Sequence, residues 1–283
     1  MKDLSERAAV ITGGASGMGL AFAERFARAG MNVVLADIEA PALAAAAEQV
    51  AAHGTEVLTV VTDVSDAASM DALAAATFAR FERVHVVCNN AGVGGGSILR
   101  ADQWVDVADW KWVLDVNLWG VIHGHRVFLP HLIEHGDGHI VNTASMAGHF
   151  PGYSPYSASK WAVVGITEGL FHRLAQMGST VGVSCLCPGW VRTRIVDSTR
   201  NRPEWAAPNA LVEPTPEAEA MRAFVTDQIA SGMEPDRVAD LVHDAVIDNR
   251  FWVFTDMNMV AALEGRFDSI RTATNPAPVV LGD

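Results

Sequence analysis

The sequence predicts a doubly wound α/β fold built on a parallel sheet, and two observations carry that reading. Short β-rich runs alternate with longer helical stretches, the rhythm of parallel strands joined by right-handed helical crossovers. A glycine-rich segment, Thr12-Gly-Gly-Ala-Ser-Gly-Met-Gly19, falls between the first strand and the first helix, where such sheets turn most tightly. The length of 283 residues suits one large α/β domain or two small ones, with ample apolar content for a core.

Taken in order, residues 8–12, 32–36, 56–61, 84–88, 139–143 and 181–186 read as strands. They are nearly continuous apolar runs, as expected of parallel strands covered on both faces. Helical patterns fill the intervals at 18–29, 40–52, 67–80, 109–134 and 155–177. Ser154 followed by Pro155 is a cap and first-turn signal for the last of these. After Pro188-Gly189 the rhythm breaks. Residues 194–232 are rich in Pro, Ala and charge, contain Trp205 and look partly helical. The pattern resumes at Glu234-Pro235 with an apolar stripe of Val238, Leu241, Val242, Ala245 and Val246, and a final strand follows at 251–254. There is no internal repeat and no interdomain linker. The expectation is therefore a single domain over 1–283 with an insertion at about 194–232. That is too long for an ordinary connection, and such insertions are more often functional lids than accidents. Trp205 is its expected anchor.

Composition narrows the class of partner and compartment. Lys plus Arg is 20 against 33 for Asp plus Glu, a formal charge of −13. With no basic patch, a nucleic-acid partner is not expected, and the acidity implies solubility. Cys88, Cys185 and Cys187 lie in apolar, strand-like runs without metal-ligand spacing, which fits small core residues in a reduced, cytoplasmic chain. The N-terminal residues run straight into a strand pattern with no signal-type apolar stretch. No apolar run is long enough to span a bilayer, so no membrane role is expected.

The chemistry-bearing residues start with the glycine loop. Gly13, Ser16, Gly17, Met18 and Gly19 bring backbone close to a pyrophosphate, whose charge meets a helix N-terminus. Position between strand and helix strengthens a signal that glycines alone would leave weak. Asp37, at the end of the second strand, lies about 20 residues beyond the loop, where a carboxylate can accept from both adenosine ribose hydroxyls. It would repel a 2′-phosphate, and Ser16 supplies no cation to pair one. Both details favour NAD(H). Further along, Tyr156 and Lys160 stand four apart and share a helix face. Such a pair is usually just a solvated surface, but with a dinucleotide loop upstream it reads as an acid/base site: a cation beside a phenol favours phenolate. His123, His125 and His131 share the long helical stretch, but lack the spacing and acidic company of a ligand set, so no metal is expected.

Six segments converge in order and spacing. They are the glycine loop, Asp37, Asp63-Val64, Asn89-Asn90-Ala91-Gly92, Tyr156 with Lys160, and Pro188-Gly189-Trp190-Val191-Arg192-Thr193. From about residue 5 to 254 the chain resembles the short-chain dehydrogenase/reductases. The resemblance implies a Rossmann-type seven-stranded sheet and an NAD(P)-dependent oxidoreductase, commonly a homotetramer or dimer through the long helices flanking the site. It implies adenine contacts at Asp63 and Val64, and a loop of Asn90, Ala91 and Gly92 lining the cofactor's central section. Pro188 and Gly189 lead to carboxamide contacts at Val191 and Thr193. Asn117 matches an asparagine that holds a water and kinks its helix, and Ser145 matches the serine that hydrogen-bonds the substrate oxygen. Ala144 stands where a second serine is frequent, and the stretch from Ser145 to Tyr156 is a couple of residues short. Tyr153 is a rival tyrosine, but four residues beyond it lies Ser157 rather than a lysine.

The expected reaction is hydride transfer between NAD(H) and a secondary alcohol or ketone. Tyr156 would act as acid/base, with its pKa depressed by Lys160 and the oxidised ring. An NAD-binding sensor on the same fold is the alternative, but has little need of an intact Asn117, Ser145, Tyr156 and Lys160 set. Val93 to Gly96, Met146, His149, Phe150, Tyr153 and Trp190 are expected at the mouth, which suggests a bulky, uncharged, hydrophobic or aromatic substrate. Asn201-Arg-Pro-Glu204 and Met233-Glu-Pro235 carry a weaker resemblance to family members acting on large aryl alcohols.

Overall fold

The computed structural model describes residues 3–95, 106–207 and 215–276. Among them β1 (Ala8–Thr12), β2 (Asn32–Asp37), β3 (Val57–Val61), β4 (Val86–Asn89), β5 (His139–Thr143), β6 (Gly182–Cys187) and β7 (Trp252–Phe254) form one sheet in the order β3-β2-β1-β4-β5-β6-β7. Every pairing is parallel. The chain therefore starts mid-sheet and winds outward in both directions. The direction changes between β1 and β4, which opens a crevice at the carboxyl ends of the strands.

The period of two along a strand sends alternate residues to opposite layers. Ala9, Ile11, Val33 and Leu35 face a core shared with Phe22 and Phe26 of α1 (Gly17–Arg28), Leu43 of α2 (Ala40–Ala51) and, on the same face, Val242. Ala8, Val10, Val34 and Ala36 face the other layer. That layer holds Met70 and Leu73 of α3 (Ala67–Arg80) together with Phe128, Leu132, Leu170 and Leu174. β1, β4, β5 and β6 are buried at every position. β3 is not: Thr59 and Val61 are exposed, because an edge strand has a neighbour on one side only.

The long helix expected at 109–134 runs instead as α4 (Val107–Leu114), a π-helical turn (Asp115–Trp119) and α5 (Gly120–His135). Within the π turn, Asn117 turns inward and bonds both polar atoms of the Val93 backbone: its Oδ1 accepts from the amide at 2.8 Å and its Nδ2 donates to the carbonyl at 2.9 Å. Local widening of a helix at one functional side chain is the usual setting of a π turn. The next helix, α6 (Pro155–Gln176), begins as expected, with the Ser154 hydroxyl accepting from the Ser157 amide.

The excursion at 194–232 leaves and returns at one point. Val191 bridges Met233 in parallel, with Arg192 N donating to Met233 O at 3.0 Å and Met233 N to Trp190 O at 2.9 Å. Its described part holds short 3-10 segments at Ile195–Asn201 and Glu204–Ala206, then α7 (Pro216–Ala230). Beyond it, α8 (Pro235–Asp248) buries the expected stripe except for Leu241, which is half-buried. Two short helices, α9 (Met257–Ala261) and α10 (Glu264–Arg271), follow β7 and had no counterpart in the sequence reading.

Candidate active site

The crevice is a groove of about 2160 Å³, well above the ~300–1,000 Å³ of a site for one drug-sized ligand. Its floor starts at the glycine loop. Gly13 has φ +65° and Gly17 φ +55°, left-handed values that favour glycine. At Gly19 a Cβ would lie 2.0 Å from the Gly13 carbonyl oxygen, so the loop can close onto its helix only without a side chain. Thr12, next to the loop, ties it to β4: its hydroxyl accepts from the amides of Asn90 and Ala91 at 2.9 and 3.1 Å, and Asn90 Nδ2 returns a bond to the Thr12 carbonyl.

At one end of the groove Asp37 is oriented by backbone. Its Oδ2 accepts from Ala15 N at 3.0 Å and its Oδ1 from Glu39 N at 3.1 Å. Asp63 borders the same end, its carboxylate bonded by both the amide and the hydroxyl of Ser65. Val64 lies beside it, packed against Gly120. On the far side Pro188 O accepts from Met146 N, Gly189 N donates to Thr255 Oγ1, and the Thr193 methyl lies close to Gly17.

Ser145, Tyr156 and Lys160 converge at the middle, with Asn117 just behind. The Ser145 hydroxyl donates to the Pro188 carbonyl at 3.3 Å and stands near enough to the Tyr156 phenol to favour its ionised form. Lys160 Nζ lies 5.7 Å from the Tyr156 ring centroid and donates to the Thr143 carbonyl at 2.8 Å. Asn117 Nδ2 donates to Ser159 Oγ, which donates to the Tyr156 carbonyl at 2.6 Å. This braces the helix turn that bears the tyrosine. Burial pushes the Tyr156 phenol above its ordinary pKa, and the Ser145 hydroxyl opposes this. Burial also pulls Lys160 down to about 8, with the nearby Cys187 and Cys185 thiols acting the other way. The sequence led to a depressed phenol; among the protein's own groups, desolvation outweighs the Ser145 hydroxyl. Gly92 completes the cradle, since a Cβ there would sit 3.3 Å from Asn117 Oδ1 and 3.7 Å from Lys160 Nζ.

All the residues expected at the cofactor border this groove or brace it; Gly19 does the latter. The mouth differs in part. Val93, Gly94, Gly95, Met146, Phe150 and Trp190 border the groove, and Gly96 lies outside the described residues. His149 instead packs against the stacked rings of Trp252 and Phe254, and Tyr153 is 67% exposed against Trp110. His123, His125 and His131 part company, bonding Val64 O, Asn142 and Val84 N respectively. Trp205 is 54% exposed under the Lys111 ammonium, whereas Ala206 is the buried contact, packed with Trp112 and Val113. The sequence reading passed over Thr12, Ser159 and the Thr143 carbonyl. Thr12 opens the quoted glycine loop and Ser159 stands between Tyr156 and Lys160; a carbonyl has no side-chain identity to read.

A winding of this kind, with a glycine loop at its switch point and a serine, tyrosine and lysine meeting above it, defines a nucleotide-dependent oxidoreductase fold. The short chain dehydrogenase family profile matches residues 7–204, and the chain belongs to that family of oxidoreductases. It is 36% identical to a 1-deoxy-11-beta-hydroxypentalenate dehydrogenase of Streptomyces avermitilis, over 94% of this chain and 91% of that one. It is 31% identical to a C alpha-dehydrogenase of a Sphingobium species, over 98% and 89%. Among solved structures, a short chain dehydrogenase/reductase from Burkholderia phymatum in complex with NAD superposes with a TM-score of 0.92 at 41% identity, covering 99% of both chains. No helix among the described residues is long and apolar enough to cross a membrane.

Proposed function

We propose that this protein transfers hydride between NAD(H) and a bulky, uncharged secondary alcohol or ketone, with Tyr156 as acid/base. The observation that carries this is the convergence of Ser145, Tyr156 and Lys160 in a groove large enough for a dinucleotide and a second ligand. The nicotinamide supplies the hydride acceptor or donor. In oxidation Tyr156 takes the alcohol proton, and Ser145 donates to the oxygen as charge develops. Lys160 sits beside Gly92, placed for the nicotinamide ribose hydroxyls, while Asn117 holds the Val93 turn and the Tyr156 turn in register.

Asp37 supports NAD(H) over its phosphorylated relative. Its backbone donors fix a carboxylate at the adenosine end, where a negative charge opposes a 2′-phosphate. Apolar walls support the substrate class. Val93, Trp112, Val116, Phe150 and Ala206 border the Tyr156 end, and nearby Arg202 is engaged by Asp109 and by the Trp112 ring 5.1 Å away. The described parts of the excursion at 194–232 border the groove, which supports its reading as the lid. The likenesses to a hydroxypentalenate dehydrogenase and to a C alpha-dehydrogenase support dehydrogenation of a hydroxyl-bearing carbon.

The test is NADH absorbance with aryl, steroid and terpenoid secondary alcohols, run with both cofactors. Turnover with NAD on a bulky alcohol is expected. Asp37→Ala with Ser16→Arg should move preference toward NADP(H) by removing a repulsive charge and adding a phosphate partner. A wild type with higher kcat/KM for NADP would overturn the Asp37 argument, and no turnover on any alcohol would overturn the reaction.

A further inference from the structure

The 3-10 segment Ile195–Asn201 runs along the groove toward its Asp37 end. Its start lies at the loop after β4, where a Cβ on Gly94 would sit 3.1 Å from the Ile195 carbonyl oxygen, and its end meets Glu39, just past β2. Those strands are two steps apart in the sheet order, roughly 10 Å at the ~4.8 Å spacing of neighbouring strands, a span within reach of seven residues at ~2.0 Å each. Between them lies β1, which leads into the glycine loop. Midway, Ser198 Oγ accepts from Gly94 N at 3.0 Å.

The far end is a built junction. Glu39 Oε1 accepts from Arg200 Nε at 2.9 Å, Arg200 Nη2 at 2.6 Å and Asn201 Nδ2 at 2.9 Å. Arg200 Nη1 meanwhile donates to the carbonyls of Asp197 at 3.0 Å and Arg194 at 3.4 Å. One guanidinium thus fastens the turn of the segment to itself and to the loop past β2. These bonds hold the Glu39 carboxyl below the usual carboxylate range. Arginine's rigid fork suits this double duty better than a lysine would.

We propose that Glu39 and Arg200 are cofactor-retaining residues: they latch the segment 195–201 as a strap over the dinucleotide groove, so that NADH leaves only when this junction opens. The strap closes over the adenosine half, whereas the acid/base site lies under the other half. Release is therefore controlled from a point remote from Tyr156. The proposal rests on the dinucleotide reading above.

Stopped-flow fluorescence of NADH release into excess unlabelled NAD tests it, with NADPH in parallel. Glu39→Gln and Arg200→Gln should each raise the release rate about tenfold, as expected for loss of a charge-assisted pair. The double variant should be no faster than either single one, because both remove the same latch. An unchanged release rate in both single variants would overturn the strap. So would an effect of Glu39→Gln alone, which would mean that Glu39 touches the ribose directly, or additive effects in the double variant. Failure of the wild type to bind NADH while it binds NADPH would overturn the NAD assignment instead, and the latch would then be read on NADPH release. Binding of neither would overturn the dinucleotide reading and the strap with it.

Discussion

At Tyr156 burial and a neighbouring hydroxyl oppose each other. Burial raises the phenol and the Ser145 hydroxyl lowers it, while Lys160 is itself pulled down to about 8. The phenol is therefore the resting form in the protein alone, and the positive charge of an oxidised nicotinamide favours the phenolate. Alcohol oxidation should accordingly rise with pH as phenolate accumulates, and ketone reduction should fall, in paired kcat/KM profiles. Tyr156→Phe should lower turnover by about 10²–10⁴-fold and change NADH affinity only a fewfold. Activity kept in that variant but lost in Tyr153→Phe would reassign the acid/base. Asn117, Ser145, Tyr156 and Lys160 were legible in the sequence because each lies in a local motif. Glu39 and Arg200 were not: they stand 161 positions apart, and nothing local to either one announces the other.

Among the elements, strands were read most accurately, because complete burial leaves an uninterrupted apolar run. β3 kept its place but not its environment, since its sequence resembles a central strand while its position is the edge. The π turn was hidden for a different reason. Residues 109–134 keep helical composition throughout, and the widening arises from Asn117 bonding Val93, a partner on another element. The excursion shows the limit of reasoning from side-chain size. Trp205 drew attention as the large residue in a polar stretch, yet Ala206 is the one held at 1% exposure by Trp112 and Val113. Ala206→Asp should therefore raise KM for a bulky alcohol about tenfold or more, since an unpaired carboxylate cannot stay buried there. Trp205→Ala should stay within about threefold on the same substrate, as is usual for a surface truncation. Steady-state kinetics on one bulky and one small ketone check both, and a larger effect at Trp205 would return the anchor to it.

For the whole molecule, two histidines at the bottom of the sheet, away from the groove, contribute to acid sensitivity. His85 Nδ1 accepts from Ala8 N at 3.2 Å, a bond that needs a neutral ring, and burial lowers its pKa to about 4. His139, bonded to Ser184, is lowered by burial to about 3. Unfolding lets both rings take up protons near pH ~6.5. The stability they permit is complete above that value and is lost as pH falls toward 4 and then 3. The urea midpoint should fall between pH 7 and pH 5, and His85→Gln should flatten that slope; equal slopes would clear His85. The sheet order has a consequence for synthesis as well. β1 emerges first and can pair with β2, and β2 with β3, while its other edge waits for β4. Until then that edge, wholly buried in the finished protein, is an open template for strands of other chains. The strand that founds the nucleotide site is also the one the nascent chain must shield longest.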